Sequence, residues 1–211
     1  MKFTALISLL TLMVGCAGSL ENPERFAEGT LENYYAFQAV CEGKLDTFNP
    51  GIAPTSFPVN VVIDTDITAN DDIGSILDGI DAWNAAVGFE AFYATISQNL
   101  TMHGACNFVT LITNVDLPNN WIGLTNYGTC AGDTVHVETM DVPGIANPGY
   151  YTDLTVKQVT MHELGHVAGL GHEPEDATSI MFPNVGNYPL TLSRKSTCLA
   201  QQAFFRSKGF K

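Results

Sequence analysis

Residues 57–67, "FPVNVVIDTDI", are rich in β-branched and apolar side chains, and that run predicts a strand. The period then changes. In "ANDDIGSILDGIDAWNAAVG" the residues Ile73, Ile76, Leu77, Ile80, Trp83 and Val87 fall three or four apart, which predicts an amphipathic helix with its stripe in the core. Asn70 or Asp71 suits its start, where an acidic side chain meets the positive end of the helix. Four short β-type runs follow, "FYATIS", "NFVTLITNV", "WIGLTNY" and "DTVHVETMDV", separated by Asn, Gly, Pro and Asp turn residues. A second helix is predicted from near Asp153 in "YTDLTVKQVTMHELGHVAGLG", and a last one from near Ser193 in "LSRKSTCLAQQAFF". Residues 17–54 are polar and irregular, and no element is predicted there. The order strand, helix, strands, helix, helix predicts an α+β fold: one domain with a mixed, twisted sheet, two packed helices and a C-terminal helix.

A length of 211 residues allows one such domain with a sizeable core. The formal net charge of −13 repels phosphate backbones and argues against a nucleic-acid partner. At the start of the chain, Lys2 precedes an apolar run from Phe3 to Val14 and then Gly15, the pattern of a secretion signal. "LMVGCAGS" resembles a bacterial lipoprotein processing site with Cys16 as the lipid-modified residue, although Met13 stands where that pattern usually has Leu. The expected organisation is a signal peptide over 1–15, a tether or short leader over 16–54, and a catalytic domain over 55–211. The expected location is the cell envelope, or free secretion if Cys16 is not modified, with membrane contact only through that lipid.

Export changes the meaning of the other cysteines. Cys41, Cys106, Cys130 and Cys198 form an even set in an oxidising compartment, so two disulfides are expected from three connectivities. Cys106 with Cys130 would clip neighbouring strands, and Cys41 with Cys198 would tie the two ends of the chain. The acidic cluster Asp64, Asp66, Asn70, Asp71 and Asp72 lacks the ordered spacing and closing Glu of a dedicated calcium loop. Helix capping is the preferred account of it, and calcium the lesser one.

Chemistry concentrates in "HELGHVAGLGH", which holds three of the five histidines. His162 and His166 are four apart and share one helix face, a spacing that presents two imidazoles to one zinc ion at about 2.0 Å each. Glu163 adjoins the first ligand, where a carboxylate can act as a general base without binding the metal. A straight helix would carry His172 away from that point. Gly169 can take a left-handed conformation, end the helix and return His172 as a third ligand. Three protein ligands with a fourth position open describe a catalytic zinc site.

The motif HExxHxxGxxH, with Met181 in "SIMFP" nine residues after His172, resembles the metzincin metallopeptidases. The short spacing and Pro183 look most like the matrixin branch, whereas Glu173 directly after the third histidine is similar to astacins. The resemblance covers about Phe57 to Phe205. It implies a metzincin-like domain, a methionine beneath the metal, and one zinc per chain held by His162, His166 and His172, with Gly169 and Met181 in support. A matrixin's cysteine-switch motif is missing around Cys41, and so is the histidine set for a second, structural zinc; His103 and His136 stand alone.

The implied activity is hydrolysis of peptide bonds by a monomeric endopeptidase acting on protein or peptide substrates, with Glu163 activating water. By the same analogy, substrate lies extended along "WIGLTNY", and Tyr188 helps shape the pocket or simply packs. Two other readings remain open: a zinc-bearing surface lipoprotein that binds without cutting, and an amidase acting on cell-wall peptides.

Overall fold

A computed structural model of the chain describes residues 31–41, 54, 56–64, 70–97, 108–112, 117, 122–126, 133–137, 153–183 and 190–210. The signal segment, Cys16, His103, Cys106, Cys130, Tyr188 and both ends of "WIGLTNY" lie outside them. Five strands form one mixed sheet: β1 (Val59–Asp64), β2 (Phe92–Ser97), β3 (Phe108–Ile112), β4 (Gly123–Asn126) and β5 (Asp133–Val137). Their order is β2-β1-β3-β5-β4, with β4 antiparallel to β5 and every other pairing parallel. The single domain is α+β, as the order of elements predicts.

The sheet follows from the sequence. β1 reads VNVVID, and Val61, Val62 and Ile63 are completely buried, as expected of a strand with neighbours on both sides. Asn60 is also buried, and its Oδ1 accepts a hydrogen bond from Thr95 Oγ1 on the neighbouring β2 at 2.9 Å. The parallel step from β1 to β2 needs a crossover, and helix α2 (Asn70–Val87) supplies it. Gly88, at φ 79, follows its end in the left-handed region. Asn84 then fixes where β2 starts. Its Oδ1 accepts from the backbone N–H groups of Ala91 and Phe92, and its Nδ2 donates to the Phe92 carbonyl.

Ile76, Ile80, Trp83 and Val87 form the buried stripe of α2 and pack against helix α3 (Asp153–Val167). Gly79 permits the close approach: a Cβ there would lie 3.2 Å from both the Lys157 carbonyl and Thr160 Cγ2. Trp83 crosses the interface and donates from Nε1 to the Met161 carbonyl at 2.8 Å. Because α3 is enclosed by α2 on one side and by β4 and β5 on another, it is buried along most of its length. It therefore forms a rigid support for whatever its side chains hold.

The structure departs from the sequence reading within residues 17–54. Leu31–Cys41 form a helix, α1, packed on the C-terminal helix α4 (Arg194–Ser207). Phe37 and Cys41 are buried in the common core, and Tyr34 stacks on Phe210 and meets Phe205 edge-on. The Cys41–Cys198 disulfide joins the two helices across 157 residues of sequence, one of the two pairings favoured among the three connectivities that four cysteines allow. The packed unit thus includes part of the segment expected to be a tether. No helix was legible there because the apolar residues of "LENYYAFQAVC" make no single stripe. Its stability comes from the aromatic contacts and the cross-link.

Candidate metal centre

The site grows from the C-terminal end of α3. Gly169, at φ 90, closes that helix in a Schellman arrangement. The Leu170 N–H reaches back to the Gly165 carbonyl at 3.0 Å, and the Gly169 N–H to His166 at 2.9 Å. The chain reverses there, so that His172 returns beside the two helical histidines. The ring centroids of His162, His166 and His172 stand 4.7, 4.9 and 5.2 Å apart in pairs. One ring nitrogen from each lies within 4.8 Å of the others, the one such metal-binding group among the described residues.

The rings are held from behind. His162 Nδ1 lies 2.6 Å from the Ile180 carbonyl, and His166 Nδ1 lies 2.9 Å from the Leu170 carbonyl. A carbonyl has no proton to give, so each Nδ1 carries the hydrogen and each Nε2 keeps its lone pair. These two Nε2 atoms face each other at 3.1 Å. Two nitrogens bound tetrahedrally to one ion at about 2.0 Å would stand about 3.3 Å apart, so the spacing of this pair fits zinc. Burial first, and then the nearby His166, lower the His162 pKa to about 3. Burial also lowers the pKa of His166 and His172. All three are therefore kept neutral, the form that binds metal.

Met181 is completely buried and packs against α3 at Gly165, between the two helical histidines in sequence. A side chain at Gly165 would collide with its sulfur and crowd the Trp83 ring, so the glycine inside "HELGH" makes room for the methionine. Glu173 anchors the same loop. Its backbone N–H donates to the Met181 carbonyl at 2.8 Å. Its buried carboxylate accepts from the hydroxyls of Ser179, Ser193 and Ser196 at 2.7, 2.8 and 3.0 Å. Ser193 also caps α4, so one carboxylate joins the third histidine, the methionine turn and the last helix. The sequence reading placed Ser193 at the start of the last helix but singled out neither Gly165 nor Ser179 and Ser196. The spacing of Ser193 and Ser196 with a cap's regularity was the available signal.

Glu163 is 4% exposed and sits against β4. Its Oε2 accepts from Thr125 Oγ1 at 2.6 Å. Desolvation raises its pKa to about 7, with the Thr125 hydrogen bond opposing that rise. A carboxyl group that titrates near neutrality can both take and return a proton.

Asp72, the one member of the acidic cluster whose side chain is described, is half-buried and belongs to no metal-binding group among the described residues. The backbone of His136 lies in β5.

A helix-borne pair of histidines, a third returned by a glycine turn, and a methionine buried against the same helix realise the HExxHxxGxxH pattern in three dimensions. Residues 56–205 match the family model described as Metallo-peptidase family M12, of the reprolysin type. The chain belongs to that family. No curated protein matches it in sequence. Among solved structures it is similar to metalloproteinase-II from Bacteroides fragilis, with 14% identity and a TM-score of 0.47 over 80% of this chain and 60% of that one. This chain thus spans less than two thirds of that protein's length.

Proposed function

We propose that the protein is a zinc-dependent endopeptidase that hydrolyses peptide bonds of extracellular or cell-envelope proteins. The observation that carries the reading is the convergence of three neutral imidazoles beside the buried carboxylate of Glu163. His162, His166 and His172 would hold one zinc ion. When bound, zinc supplies Lewis-acid charge that acidifies water and polarises a carbonyl. Glu163 accepts the proton from the attacking water at its carboxylate and delivers it to the leaving amine. Ile180 and Leu170 keep two of the rings oriented through their carbonyls.

Substrate in this reading runs extended along β4, the antiparallel edge strand beside α3, where backbone pairing requires little of the side chains. The nine-residue step from His172 to Met181 supports a matrixin-like lower rim within the metzincin group. Export rests on the apolar leader, and lipid anchoring on Cys16 in "LMVGC". The intact Glu163 favours an enzyme over a binding module, since binding alone needs no base. An amidase acting on cell-wall peptides would use the same residues. Peptide cleavage by the parent protein and by Glu163→Gln, each with its zinc content measured, tests the proposal.

A further inference from the structure

Strand β4 bears on Glu163 at two points. Gly123 and Thr125 are two residues apart and so share one face of the strand, the face turned towards α3. At Gly123 a Cβ would collide with Glu163 Oε1 and lie 2.7 Å from Val159 Cγ1. The missing side chain is what allows this carboxylate oxygen to lie against the strand. At Thr125 the hydroxyl stands 2.6 Å from Glu163 Oε2 and 3.1 Å from the Glu163 backbone carbonyl. One hydroxyl hydrogen serves one acceptor well at a time, and the shorter contact lies in the range of a bond to a charged oxygen. Thr125 is β-branched and stiff at χ1, so it is a donor with little freedom to wander.

We infer that Thr125 is a positioning residue for the reaction: its hydroxyl engages Oε2 of Glu163, and Gly123 leaves Oε1 as the oxygen that handles the proton. The inference rests on the peptidase reading above. A carboxylate with two equivalent oxygens could otherwise rotate about its last bond, and a misplaced base costs turnover rather than substrate affinity. Among the described residues, no other side chain is seen to donate a hydrogen bond to the Glu163 carboxylate.

The test compares the parent with Thr125→Val, which keeps the shape and removes the donor, and Thr125→Ser, which keeps the donor. Thr125→Ala stands in if the valine variant does not fold. Zinc content, kcat and KM on a peptide substrate, and the melting temperature of the chelator-treated protein are measured for each. Thr125→Val is expected to retain zinc and a KM within about twofold, and to lose at least roughly tenfold in kcat. Thr125→Ser should recover kcat to within about threefold of the parent. In metal-free protein, Thr125→Val should lower the melting temperature of the parent by more than that of Glu163→Ala, where only the bond to the backbone carbonyl of residue 163 remains to be lost. Unchanged kcat in Thr125→Val, a serine variant as impaired as the valine one, or equal melting losses in both backgrounds would overturn the inference. A parent that cleaves no peptide would overturn the peptidase reading and this role with it. A parent that cleaves beside an unimpaired Thr125→Val protein overturns this role alone.

Discussion

The Nδ1 of His162 donates to the carbonyl of Ile180 at 2.6 Å, and Ile180 is the residue before Met181. His162 is thereby tied through Nδ1 to the methionine turn. One bond sets the tautomer, aims Nε2 towards the Nε2 of His166 and keeps the methionine turn in register with α3. The Ile180 N–H in turn donates to the Thr191 carbonyl at 2.6 Å, so the turn is anchored towards α4 on its other side.

Gly165→Ala tests the space that this arrangement requires. The added methyl meets the Met181 sulfur and the Trp83 ring, both buried, so neither moves freely. The expected loss of stability is about 1–3 kcal/mol, the usual cost of overpacking. Chelator titration should show weaker zinc retention, because the turn under His162 is displaced. Unchanged melting and unchanged retention would count against the packing account.

A second prediction concerns pH. Glu163 has an ordinary value of 4.5 and a folded value of about 7. Between these values the folded state holds a proton that the unfolded chain has released. Stability supplied by the protonated form is therefore full below about 4.5 and lost as pH rises through about 7. In metal-free protein Glu163→Gln removes this dependence while keeping an oxygen that accepts from Thr125. The variant should melt above the parent at pH 8, by an amount on the order of 3 kcal/mol, and the gap should shrink towards pH 4.5. Chelator-treated samples followed by thermal melts across that window check it. A gap that widens on acidification would contradict the buried-carboxyl account.

The Cys41–Cys198 bond gives a third. Closing a 157-residue loop contributes roughly 5 kcal/mol in the chain-entropy account. Cys41→Ser should lower the melting temperature substantially and expose α1 to proteolysis, since that helix then relies on its aromatic contacts. Equal melting of the oxidised protein and the variant would show that the cross-link adds nothing to the packing.

Most strands and helices were legible because their patterns are local. The stripe of Ile76, Ile80 and Trp83 needs only a helix to make sense, and so does the step from His162 to His166. Gly169 was readable for the same reason: a helix must end before His172 can return. Tertiary partners were not readable in this way. Gly165 and Gly123 look like ordinary glycines until Met181 and Glu163 are brought against them by distant parts of the chain. Thr125 reads as a strand former, and its contact spans 38 residues of sequence. Helix α1 escaped notice because aromatic packing and a disulfide hold it where no stripe announces it.

Cleavage and zinc content measured together on Glu163→Gln test the central claim most directly. The account predicts one zinc per chain in both parent and variant, since His162, His166 and His172 are untouched. It predicts a turnover lower by roughly 10²–10⁴ in the variant, the usual worth of a placed general base. His172→Ala serves as the contrast, losing zinc because one of three ligands is gone. A Glu163→Gln protein that holds its zinc and cleaves peptides as fast as the parent would contradict the account.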